Sequence, residues 1–186
     1  MTGTDRTIWR DQVREEILTW ASDVLSVPSD HFSGLAPCPF ARRCVSDCGL
    51  DIQFGDEDTV LDSCDRWDDS FDLVIVVTEG WDHSSITEWC EVENERLASR
   101  DLTLMAFVPG EGPDTGQPPE EGDDWDYLVE DEYPMVFIQR LSKVNDASMV
   151  LDRRGYYRNC SAEFLEYVNV RRGRAYEHAR QQEDDA

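Results

Sequence analysis

Three of the six cysteines, Cys38, Cys44 and Cys48, fall within eleven residues of one another. A cluster this dense in a chain expected to meet a reducing cytoplasm raises metal binding or thiol chemistry rather than disulfides. The spacing C-x5-C-x3-C matches neither a zinc knuckle nor an iron–sulfur run. If residues 41–48 are helical, Cys44 and Cys48 share a face, and a metal reading would add Cys64 or a histidine to the three. Cys38 has the most suggestive context, before Pro39 at the entrance to a predicted helix, with Arg42 and Arg43 one turn on. A helix N-terminus and guanidinium groups both stabilise a thiolate, which would make Cys38 a nucleophile at neutral pH. A thiol packed under the first helix fits the same position. Cys64, Cys90 and Cys160 lie on apolar stripes or near helix ends and read as buried, inert thiols.

A thiol nucleophile needs a base. The chain has three histidines. His31 lies seven residues before Cys38 in a turn-rich stretch, and His83 follows a predicted strand end, where active sites of α/β proteins gather. His178, on a polar C-terminal helix, reads as exposed. No phosphate loop, nucleophile elbow, zinc-type histidine pair or dinucleotide fingerprint is present. The aspartate-rich stretches 56–58 and 123–126 lack the alternating oxygens and central glycine of a calcium loop.

Charge narrows the partners. Against 41 Asp and Glu stand 17 Lys and Arg, a formal net charge of −24, and the one lysine is Lys143. Such a surface repels nucleic-acid backbones and anionic lipids, so neither nucleic acid nor membrane is expected as a partner. A basic protein is, and so is a role as a nucleic-acid mimic. The seven arginines from Arg153 to Arg180 are interspersed with acids and read as a solvated mixed face. No apolar run approaches the 18 or so residues of a membrane helix, and residues 1–30 carry charges throughout, so the expected location is cytoplasmic.

The elements that must position these groups follow from periodicity. With 186 residues the chain should form one domain. Trp9, Val13, Ile17, Trp20 and Val24 predict an amphipathic helix over 7–26, stopped by Pro28. Leu50 to Phe54 alternates as a strand, 57–66 suits a short helix, and the continuously apolar run 73–77 predicts a central strand covered on both faces. A helix from Ser84 or Ser85 to about Arg100 and a strand over 102–108 follow. This order predicts an α/β fold with right-handed crossovers, a mixed sheet of about four strands covered by helices. Residues 110–132 hold ten acids and no Lys or Arg, and read as a flexible flap or partly disordered segment. A fourth strand over 134–141, a short helix over 145–154 and a final helix from Ser161 to about Gln181 complete the chain, with a fraying tail at 182–186.

The run from Ala36 to Arg43, A-P-C-P-F-A-R-R, resembles the "LCPFA" signature of the bacterial family called domain of unknown function 1415. The strand 73–77 with its following helix, and Tyr133 to Arg140 (Y-P-M-V-F-I-Q-R), are similar to that family's central strand with its "FNDF" helix and its "YPMLHLLR" stretch. The family's "FHP" appears here as Phe107-Val108-Pro109, and Phe137 replaces the histidine of "YPMLH". The resemblance implies an α/β protein with Cys38, Tyr133 and Arg140 near one pocket, and implies no reaction. The expected site therefore has Cys38, Arg42 and His83 as catalytic groups, with Tyr133 and Arg140 binding substrate. Arg140 would anchor the carboxylate or phosphate of a small anionic metabolite. The sequence leaves the cofactor unknown. The rival expectations are an acidic protein that docks a basic partner and a metalloprotein built on Cys38, Cys44 and Cys48.

Overall fold

A computed structural model of the chain describes residues 3–81, 83–108 and 133–184. The acidic segment 110–132 lies outside the described residues. Four strands build one mixed sheet: β1 (Leu50–Gly55), β2 (Leu73–Thr78), β3 (Leu102–Phe107) and β4 (Met135–Arg140). Their order is β1-β2-β4-β3. β1 and β2 are parallel, while β4 runs antiparallel to both β2 and β3, so the last strand in sequence fills the gap between the second and third. The apolar run 73–77 is interior to the sheet, as its lack of polar alternation requires.

The alternation of each strand sorts its side chains between two cores. On one face Ile52, Ile75, Val77, Met135 and Phe137 meet Val13, Ile17 and Trp20 of α1 (Gly3–Asp23). On the other, Val74, Val76, Leu104, Val136 and Ile138 are covered by α3 (Glu57–Asp65), through Val60 and Cys64, and by α4 (His83–Leu97), through Ile86 and Cys90. Between α1 and β1 the chain passes through a 3-10 turn at Asp30–Phe32 and the single-turn helix α2 (Ala41–Ser46). A third cluster, with Phe32 stacked on Tyr156, fastens that stretch to the chain beyond α5 (Leu141–Arg153). The final helix, α6 (Ala162–Asp184), lies on α5 and reaches α4, with Arg172 on Asp152 and Arg174 on Glu95.

Element boundaries differ from the periodicity in two informative places. α1 begins at Gly3 and gives way to turns after Asp23, so it ends short of Pro28. α5 begins at Leu141, directly after β4, where the sequence pattern starts a helix only at Asn145. The early start is made by Asp101. Its carbonyl accepts the Leu141 N–H at 3.0 Å and its carboxylate accepts the Ser142 N–H at 2.7 Å. A helix start needs partners for its first N–H groups, and here they come from a distant turn.

The two edges of the sheet are treated differently. At β3, the Asn94 side chain of α4 donates to the Leu104 carbonyl at 3.0 Å and accepts the Leu104 N–H at 2.6 Å. The amide occupies the place of a neighbouring strand. Among the described residues, β1 at the opposite edge has no side-chain amide in that role.

Candidate functional site

Cys38 sits before α2, its N–H bonded to the Leu25 carbonyl at 2.9 Å. The amides of Phe40 and Ala41 do face its sulfur, as a helix entrance should provide, but burial outweighs them and pushes the thiol above its ordinary value. The expected depression is not found. Some of the residue remains in contact with solvent while the sulfur itself is surrounded. The hydroxyl of Tyr156 donates to the Pro37 carbonyl beside it. Arg42 and Arg43 are exposed, and Arg43 is engaged with Asp47 at 3.4 Å. A one-turn helix and two solvated guanidiniums exert too little field to offset desolvation of a thiolate.

The other expected groups are spread across the molecule. Cys44 lies near Cys38 and Asp72 at the N-terminal ends of β1 and β2, and burial raises its thiol too. His83 opens α4 beyond the C-terminal end of β2, whereas Cys38 neighbours Cys44, which lies by Asp72 at the start of that strand. Tyr133 precedes β4, buried, and its hydroxyl donates to Glu16 of α1 at 2.6 Å. Arg140 ends β4. Seven residues of extended chain, roughly 23 Å, separate the two. The structure thus brings Cys38 and Cys44 together and leaves Tyr133, His83 and Arg140 elsewhere. Arg140 holds the Asp69 carboxylate with two nitrogens at 2.7 and 2.6 Å, and this contact keeps Asp69 well below the usual carboxylate range.

Cys48 is exposed in the left-handed conformation, φ 56°, and no group of three or more His, Cys, Asp or Glu among the described residues is arranged to hold a metal ion. Cys64 and Cys90 are buried in the core, which pushes both thiols up to about 12. His31 is half-buried with its ring edge-on to Phe32 at 4.9 Å.

A different feature is concave. Beside β1 lies a cleft of about 380 Å³, walled by the β1 edge, α3 and the loop 66–71. Its lining carries Asp51, Asp58, Asp62, Asp68 and Asp69 against one guanidinium, Arg66. Two local rules gather them. Asp51 and Gln53 share the α3 face of β1 by strand alternation, and Asp58 and Asp62 share a face of α3 by helical i,i+4 spacing. Asp56 caps α3 by accepting the Thr59 N–H, which fixes where that face points. A chain of contacts orders the wall: Ser63 donates to Gln53 at 2.9 Å, and Gln53 to Asp51 at 2.8 Å. The floor is aromatic, with Trp67 and Phe71 packed on the core. Arg140 stands at the rim, 5.9 Å from the Trp67 ring centre. The sequence signal for this site is the strand and helix spacing of the aspartates, a pattern that solvated acidic faces share, whereas Cys38 carries a residue type tied to nucleophilic chemistry.

The described helices include none long and apolar enough to cross a membrane. No family model, curated protein or solved structure matches the chain, so its likeness to domain of unknown function 1415 rests on the short motifs alone.

Proposed function

We propose that this protein is a binding module whose acidic cleft takes the cationic side chains of a basic protein partner. The observation that carries this reading is the cleft itself, five aspartates over an aromatic floor, with Arg66 bonded to Asp62 and Arg140 to Asp69, so that the carboxylates outnumber the guanidiniums. Carboxylates accept paired hydrogen bonds from a guanidinium, and an indole face attracts a cation, as Arg140 over Trp67 already illustrates. The net charge of −24 adds long-range attraction that speeds encounter with a basic protein and repels nucleic acid. A thiol enzyme acting on a small anionic metabolite draws less support, because the Cys38 thiol is held neutral and Arg140 is engaged by Asp69.

Titration calorimetry with an arginine octapeptide tests the reading. The double variant Asp51→Asn/Asp58→Asn should weaken binding about ten-fold, in keeping with charge-assisted bonds in a partly dry cleft. A control with the same charge change, Glu91→Gln/Asp146→Asn on exposed helix faces, should change it less than about two-fold. Equal losses in both variants would mean that the peptide responds only to overall charge.

A further inference from the structure

The edge of β1 beside the cleft has its own chemistry. The carbonyls of Gly49 and Gly55 accept N–H groups of Leu73 and Glu79 at 3.0 and 2.6 Å, so odd-numbered residues turn their main-chain groups toward β2. By the alternation of a strand, the N–H and C=O groups of Leu50, Ile52 and Phe54 point outward. The Ile52 carbonyl meets only the outer limit of a hydrogen bond, an Arg14 nitrogen at 3.5 Å. The opposite edge is closed by Asn94, a device for sealing a strand edge that is not repeated on β1 among the described residues.

We propose that the outward edge of β1 is a strand-docking site: an extended segment alternating arginine or lysine with apolar residues adds beside β1 and sets its basic side chains into the acidic cleft. This rests on the basic-partner reading above and supplies its main-chain mode. Side chains of an added strand alternate between the two faces of the sheet. Those on the α3 side meet Asp51 of β1 and Asp58 of α3. Those on the α1 side meet Phe54, whose ring lies under the Arg10 and Arg14 guanidiniums at 5.2 and 4.8 Å. That side favours an apolar residue over a third cation. A second copy of this chain is the wrong occupant, since pairing β1 with itself brings Asp51 and the α3 aspartates of two chains together. The carboxylates that select a basic strand also keep the acidic chain from pairing with itself.

The test uses the full chain and a decapeptide of alternating arginine and valine. On binding, amide hydrogen exchange should slow by at least about ten-fold at Ile52 and Phe54, whose N–H groups gain partners, and stay unchanged at Asp51 and Gln53. Two further peptides carry N-methyl groups on the arginine amides or on the valine amides. One should lose about ten-fold in affinity and the other less than about two-fold, because only alternate amides face the sheet. Unchanged exchange at Ile52 and Phe54, with both methylated peptides binding alike, overturns strand docking and leaves the cleft reading intact. So does binding of the arginine octapeptide without binding of the alternating one. Failure of both peptides to bind overturns both proposals. Sedimentation of the protein alone should show no concentration-dependent dimer, and a dimer that protects Ile52 and Phe54 would make the occupant a second copy.

Discussion

Asp101 reaches Ser142 twice, its two carboxylate oxygens taking the Ser142 N–H at 2.7 Å and the Ser142 hydroxyl at 2.6 Å. The residue sits in the left-handed conformation, φ 56°, between α4 and β3, and through this contact it caps a helix 41 residues further along the chain. Asp101→Ala should lower stability by about 1–2 kcal/mol, the usual cost of a lost cap with a little added backbone strain. Asp101→Asn, which tolerates the same backbone and keeps an acceptor, should cost less. Denaturant midpoints at constant slope would show it, and an unchanged midpoint in the alanine variant would mean that Ser142 finds water instead.

Asn94 yields a second expectation. It is buried, and both of its amide atoms serve Leu104. Asn94→Leu keeps the volume and strands a buried N–H and C=O, so the loss should be about 2–4 kcal/mol. The variant should also aggregate faster than equally destabilised core variants, because it opens the β3 edge. Light scattering at matched fractions unfolded separates those two effects.

Thiol labelling gives a third. Burial raises the Cys38, Cys44, Cys64 and Cys90 thiols, whereas Cys48 is exposed. Alkylation of the native protein near pH 7 should mark Cys48 first and Cys38 slowly, with the Cys38 rate still climbing above the ordinary thiol range. Cys38→Ser should destabilise the fold. Mass mapping that found Cys38 labelled ahead of Cys48 would restore it as a nucleophile.

A fourth concerns acid. Glu79, just after β2, accepts Arg10 through both carboxylate oxygens at 2.9 and 2.8 Å and is also bonded by Arg6, tying α1 to the end of the sheet. The Arg10 contact, with burial opposing it, holds the Glu79 carboxyl below its ordinary value. The unfolded chain therefore takes up this proton at higher pH than the folded one. Stability from Glu79 is complete above the ordinary glutamate range and declines as pH falls through it toward the depressed folded value. Glu79→Gln should lower stability at pH 7 and flatten the acid limb of the stability curve. Parallel acid limbs for parent and variant would count against the clamp.

The legible parts of the fold were those whose cause is local. The unbroken apolar run of β2, the alternation of β1 and the Ser161 cap, which accepts the Phe164 N–H, each depend on residues within a few positions. The sequence pattern starts α5 four residues late because its cap comes from Asp101, and no window around Leu141 contains it. Cys38 shows the same limit in the candidate site. Its helix entrance is written in neighbouring residues, but the burial that decides its protonation depends on packing with partners such as Tyr156, far along the chain. The cleft was legible in its parts, Asp51 with Gln53 and Asp58 with Asp62. What joins them is the α3 crossover that lays one face beside the other.

The place of β4 also governs the order in which the chain can be completed during synthesis. β2 and β3 are already made when the ribosome reaches residue 107, yet the sheet holds them one strand apart. Until residues 135–140 emerge, each presents a bare inner edge to the gap, on a strand of mostly apolar residues. A nascent chain that stalls between those points carries the β1–β2 pair with its inner edge unmatched and β3 without a partner strand, the state most prone to pair with a stranger. The final closure sets β4 against β2 and β3 at once, and the Asn94 amide on the outer edge of β3 turns the incoming strand to the inner one.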